Sequence, residues 1–73
     1  MDEKTFITKV AEIVEEDECS VSINSNLDDF DSWDSLARIT FLVFVSDTLK
    51  KRIDGSLVKE AKTVRDLYNI AVN

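Results

Sequence analysis

From Glu3 to about Asp17 the apolar residues Phe6, Ile7, Val10, Ile13 and Val14 recur at spacings of one, three, three and one, which is one stripe of an amphipathic helix. Asp2 is the expected N-cap. The acids Glu15, Glu16, Asp17 and Glu18 oppose the helix macrodipole, so this helix is expected to fray near Glu16. Residues 18–34 lose the period. They are rich in Ser, Asn and Asp, with isolated apolar anchors at Val21, Ile23, Leu27, Phe30 and Trp33, a pattern that predicts a long loop pinned to a core. A second apolar segment starts at Leu36 and runs past Leu49 through Ile39, Phe41, Leu42, Val43, Phe44 and Val45. Residues 41–45 alone have strand propensity, but the length of the segment, Asp34 as a cap and the cations Lys50, Lys51 and Arg52 at its far end favour a helix. Apolar around much of its circumference, it should be the central helix, or else show apolar side chains to a partner. Asp54-Gly55 reads as a turn on the only glycine, and residues 56–61 allow about one helical turn. Thr63 and Asp66 form a capping-box-like start to a last helix carrying Val64, Leu67, Tyr68 and Ala71 on one face, with Tyr68 at the edge of the core.

The predicted fold is all-α, a small four-helix bundle of three main helices and one short third helix, with the long loop between the first two. Its 73 residues make one domain, 1–73. A chain of this size buries only about 60% of its unfolded surface, so the core matters acutely. A single cysteine, Cys19, cannot pair within the chain, and the absence of histidine excludes a Cys/His zinc site; apolar packing must suffice. The same absence removes Ser-His-Asp triads and Cys-His dyads, so no enzyme is expected. An EF-hand-type calcium loop fits no register: counted from Asn24 the sixth position is Asp29 and the twelfth Ser35, and counted from Asp29 the fifth is Trp33. The N-terminal residues lack the basic start and apolar stretch of a signal peptide, and no apolar run nears the ~20 residues of a membrane span. A cytoplasmic protein is expected.

Charge divides the chain. Residues 1–36 hold eleven acids against two lysines, giving -9, and residues 37–73 hold seven bases against four acids, giving +3, for the overall -6. An acidic chain with scattered bases lacks the electrostatic footprint of a nucleic-acid binder. A basic protein surface is the expected partner.

The candidate chemistry lies in Asp31-Ser32-Trp33-Asp34-Ser35-Leu36. If Asp34 caps the central helix, Ser35 falls at its first position, beside unpaired amides and the positive end of the macrodipole, where a phosphodiester would be stabilised. Local chemistry alone fits a plain cap equally.

Asp34-Ser35-Leu36, after a long loop and before an apolar helix, resembles the Asp-Ser-Leu signature of acyl carrier proteins. The resemblance extends over nearly the whole chain: the first amphipathic helix, the anchors Ile23 and Leu27, the central helix, Ile53 after it, and Thr63-Val64 opening the last. It implies a carrier rather than a catalyst. Ser35 would bear a 4'-phosphopantetheine arm delivered from coenzyme A by a phosphopantetheinyl transferase, and the arm's thiol would hold acyl or aminoacyl groups as thioesters for loading enzymes, acyltransferases or synthases. Asp34 would position the loop and offer a carboxylate to the transferase, and Leu36 would contact partners. Val43, two turns on, is the next docking candidate, with a place in the core equally open to it. The chain would act as a monomer. Family members carry several acids after the serine; here Ala37, Arg38 and Thr40 take those places and the acids Asp28, Asp29, Asp31 and Asp34 precede it. Partners are therefore expected to approach from the loop side, reading Asp31 and Trp33, and to avoid a positive patch opposite Arg38. Trp33 is expected to wedge between loop and bundle. Phe41 and Phe44, if both point inward, would fill the space that a long acyl chain would need for shelter, which favours a short, polar or aminoacyl cargo. Without an arm, the same features would make a helical adaptor with an acidic docking loop.

Overall fold

The computed structural model describes residues 1–72. Four helices follow in order, α1 (Glu3–Ile13), α2 (Ser35–Thr48), α3 (Gly55–Glu60) and α4 (Val64–Val72), with two 3₁₀ turns, Glu18–Ser20 and Leu27–Asp29, in the loop between α1 and α2. This is the expected all-α bundle with a short third helix.

Local hydrogen bonds set the helix starts. Asp2 caps α1 by accepting from the Thr5 amide at 2.8 Å, and Asp54 caps α3 by accepting from the Ser56 amide at 2.9 Å. Before α4, Thr63 Oγ1 accepts from the Asp66 amide at 3.2 Å while Asp66 Oδ2 accepts from the Thr63 amide at 3.1 Å and the Lys62 amide at 3.0 Å, a reciprocal capping box. Each of these carboxyls titrates below the ordinary aspartate value of 3.8: Asp2 through hydrogen bonding to Thr5, Asp54 through the Ser56 backbone, and Asp66 through the Lys62 amide first. A carboxyl whose folded value is depressed stabilises the fold above its unfolded value and loses that contribution as the pH falls through the folded one. Asp66→Ala is therefore expected to cost about 1 kcal/mol of stability near neutral pH, read as a lower thermal midpoint. Measured against pH, the gap to wild type should close as the pH drops below 3.8; a gap independent of pH would contradict the capping role.

The helix ends depart from expectation. α1 stops at Ile13 rather than fraying near Glu16, because Glu15 turns left-handed (φ 59°) and the Glu16 amide reaches back to the Ala11 carbonyl at 2.9 Å. This is a Schellman closure on a glutamate where glycine is usual. α2 ends at Thr48, and Lys50 takes up the left-handed turn (φ 55°), so the cations follow the helix instead of lining its last turn. The only glycine is not a turn residue either. Gly55 is the first residue of α3 with an ordinary negative φ, because aspartate before glycine serves a cap as readily as a turn.

The core draws on every helix and on the loop. Phe6, Val10, Ala11 and Val14 come from α1 and its end, Phe41, Phe44 and Val45 from α2, Val58 from α3, Val64, Leu67 and Ala71 from α4, and Val21, Leu27 and Phe30 from the loop. Ile23 and Trp33 pack against it half-buried, so all five loop anchors hold. Phe6 is the hub: its ring lies edge-on to Phe41 (5.9 Å) and Tyr68 (5.2 Å) and tilted to Phe44 (6.4 Å). The loop is also tied by its backbone, where the Leu27 amide donates to the Lys62 carbonyl at 2.8 Å and the Val64 amide to the Ser25 carbonyl at 3.0 Å, closing an isolated bridge between Asn26 and Thr63. That clasp sets the last stretch of loop, and with it the start of α2.

Candidate functional site

The site is built by how α2 begins. Leu27 and Phe30 bury into the core, the Trp33 amide donates to the Phe30 carbonyl at 3.1 Å, and the Trp33 ring packs edge-on to Phe41 at 6.5 Å. Trp33 is thus the expected wedge, one face committed to the core. The chain then enters α2 with Asp34 extended (φ -121°, ψ -168°), its carboxylate accepting from the Ala37 amide at 2.9 Å. Ser35 is the first helical residue and is exposed. The amides of Ser35 and Leu36 precede the first intrahelical bond, which runs from the Arg38 amide to the Asp34 carbonyl at 3.0 Å. The Ser35 hydroxyl therefore stands at the positive end of a 14-residue helix.

One contact there was not foreseen. Arg38 Nη2 donates to Ser35 Oγ at 3.1 Å. The i, i+3 spacing made the two neighbours on the helix surface, but the direction of the guanidinium was not legible. Asp31, Asp28 and Asp29 are exposed beside this end of the helix in sequence, and Lys9–Glu12 at 3.3 Å is the sole ion pair among the described residues, so the loop acids hold no basic partner within the fold. A shallow groove of about 330 Å³ runs alongside between the end of α1, at Ile13 and Glu15, and Asp34, Leu36 and Thr40 of α2.

α2 has two apolar faces. Ala37, Phe41, Phe44 and Val45 turn inward; Leu36 (70% exposed), Ile39 (57%) and Val43 (54%) form an outward stripe spaced three and four residues apart. Val43 is therefore not a core valine. Ile39, which periodicity placed only in the apolar segment, completes the stripe between Leu36 and Val43.

The chain matches the family described as the phosphopantetheine attachment site over residues 4–70, and it belongs to that family. Comparison with curated proteins and with solved structures gives no match. The family attaches 4'-phosphopantetheine covalently to a serine, so this protein is a phosphopantetheine-carrying carrier. Carriers of this kind are generally not catalytic themselves and work with phosphopantetheinyl transferases and synthase enzymes. No helix among the described residues is long and apolar enough to cross a membrane. The residues around Ser35 fit the group: an exposed hydroxyl, open amides at a helix N-terminus, an arginine donor on the oxygen, and a groove with room for part of a flexible arm.

Proposed function

We propose that Ser35 is the attachment residue and that residues 1–73 act as one monomeric carrier domain for short, polar or aminoacyl cargo in a specialised biosynthetic route in the cytoplasm. The observation that carries the assignment is the placement of an exposed serine hydroxyl at the N-terminus of α2, with Arg38 donating to it. In the modification, Ser35 Oγ bonds to the arm's phosphorus, the pyrophosphate bond of coenzyme A breaks and 3',5'-ADP leaves; the hydroxyl proton passes to a base of the transferase. This chain contributes orientation. Asp34 holds the first turn by its bond to the Ala37 amide, and the helix dipole favours the new negative charge.

Docking is assigned to the surface around the serine. Leu36 and Val43 offer an apolar stripe, Asp31 and its neighbours an acidic approach, Trp33 the exposed part of its ring, and Arg38 the cation that a partner's own positive patch would avoid. The cargo preference is supported by the interior. Phe41 and Phe44 both point inward and fill the centre with Phe6 and Tyr68, leaving a chain of aromatic contacts where an acyl tail would have to insert.

Intact mass spectrometry after incubation with coenzyme A and a promiscuous phosphopantetheinyl transferase tests the assignment. A gain of one phosphopantetheine, localised to Ser35 by fragmentation, is expected. No gain with several transferases would favour the unmodified adaptor instead.

A further inference from the structure

Arg38 is a guanidinium with most of its capacity unused. It sits half-buried on the first turn of α2 and, among the described residues, forms no ion pair and makes one side-chain hydrogen bond, to Ser35 Oγ. A guanidinium has five N–H donors in a rigid fork suited to two oxygens of one phosphate, and a single serine oxygen engages only one of them. If Ser35 is esterified, Oγ bonds to phosphorus and the non-bridging oxygens of the phosphodiester lie two bonds from the atom Arg38 already touches. The same ester adds a negative charge next to the carboxylate of the adjacent Asp34, a like-charge cost that a neighbouring cation offsets.

We propose that Arg38 is a phosphodiester clamp: on attachment of the arm its guanidinium passes from Ser35 Oγ to the phosphate oxygens and, with the open amides of Ser35 and Leu36, fixes the root of the arm against the first turn of α2. The clamp rests on Ser35 being the attachment residue. It makes Arg38 a positioning residue for the arm, a role separate from any part in partner choice.

The test compares apo and arm-bearing protein, the loaded state being verified by mass. The change in thermal midpoint on modification is expected to be more favourable in wild type than in Arg38→Ala by about 2–4 °C, the scale of an exposed charge pair in a domain of this size. That difference should shrink in about 1 M salt, where screening acts over ~3 Å. Arg38→Lys, which keeps the charge without the fork, should fall between the two. Equal midpoint changes in wild type and Arg38→Ala would overturn the clamp. Should the alanine variant fail to fold or to load, the Arg38 Nε–H resonance of wild type decides alone: a shift with slowed exchange on modification supports the clamp, and an unmoved resonance overturns it. Absence of a mass gain at Ser35 would instead overturn the attachment reading and the clamp with it, whereas a gain with an unresponsive Arg38 overturns the clamp only.

Discussion

Ser35→Ala is expected to abolish the mass gain from coenzyme A completely while leaving the thermal midpoint close to that of wild type. The two halves of this expectation have separate physical causes. The fold does not depend on the hydroxyl: α2 is capped by the Asp34 carboxylate on the Ala37 amide, and the one side-chain bond made by Ser35, from Arg38 at 3.1 Å, is exposed. Surface changes of this kind stay within about 0.5 kcal/mol. Modification depends on the hydroxyl wholly, because no neighbouring group can replace it. Ser32, three residues earlier, is half-buried in the loop, and Ser56, at the start of α3, follows a different cap on a six-residue helix. Circular dichroism and intact mass on the same sample check both halves. A gain that survives in Ser35→Ala would move the attachment point elsewhere, and a collapse of the fold would show that the hydroxyl has a structural duty the cap does not suggest.

Phe41→Ala is expected to have the largest effect on stability. Phe41 has no solvent exposure and meets Phe6 at 5.9 Å, Phe44 at 6.1 Å and Trp33 at 6.5 Å. Removing a buried phenyl ring costs about 3–5 kcal/mol through lost transfer and the void left behind. A chain of this length commands a total stability of about 4–11 kcal/mol at the usual value per residue. The variant should thus lose about a quarter or more of its stability, and its midpoint should fall by at least about 12 °C. Trp33, the only tryptophan, rests on Phe41, so its fluorescence should shift to the red as the loop before Ser35 loses its seat. Val43→Ala, two residues further along the same helix but on the outward stripe, should change the midpoint by only a few degrees. Similar losses from the two substitutions would show that α2 is oriented otherwise.

The contrast between Phe41 and Val43 also marks the limit of what the linear pattern conveyed. α1 and α4 each have one apolar stripe, so their inward faces could be read directly; Phe6, Val10, Leu67 and Ala71 are buried as the spacing predicts. α2 is apolar nearly all round, and a periodicity that points everywhere orients nothing. Val43 could have been core or surface, and Ile39 attracted no functional reading, until packing chose the inward side. Val58 was likewise silent, although it is the fully buried anchor of α3, because a single turn has no period to detect.

The sequence by itself determined the features that depend on residues within about four positions of one another: Asp2, Asp34 and the Thr63/Asp66 box as helix starts, and Ser35 at the first position of a long helix. Such hydrogen bonds close inside one turn, so residue type and spacing are enough. Tertiary structure alone decided the rest. It set the left-handed ends at Glu15 and Lys50, the clasp of Leu27 and Ser25 onto residues 62–64, the aromatic hub at Phe6 and the outward stripe of α2. It also turned the Arg38 guanidinium onto Ser35 Oγ, since which of several rotamers a long side chain adopts is settled by its surroundings and not by its spacing.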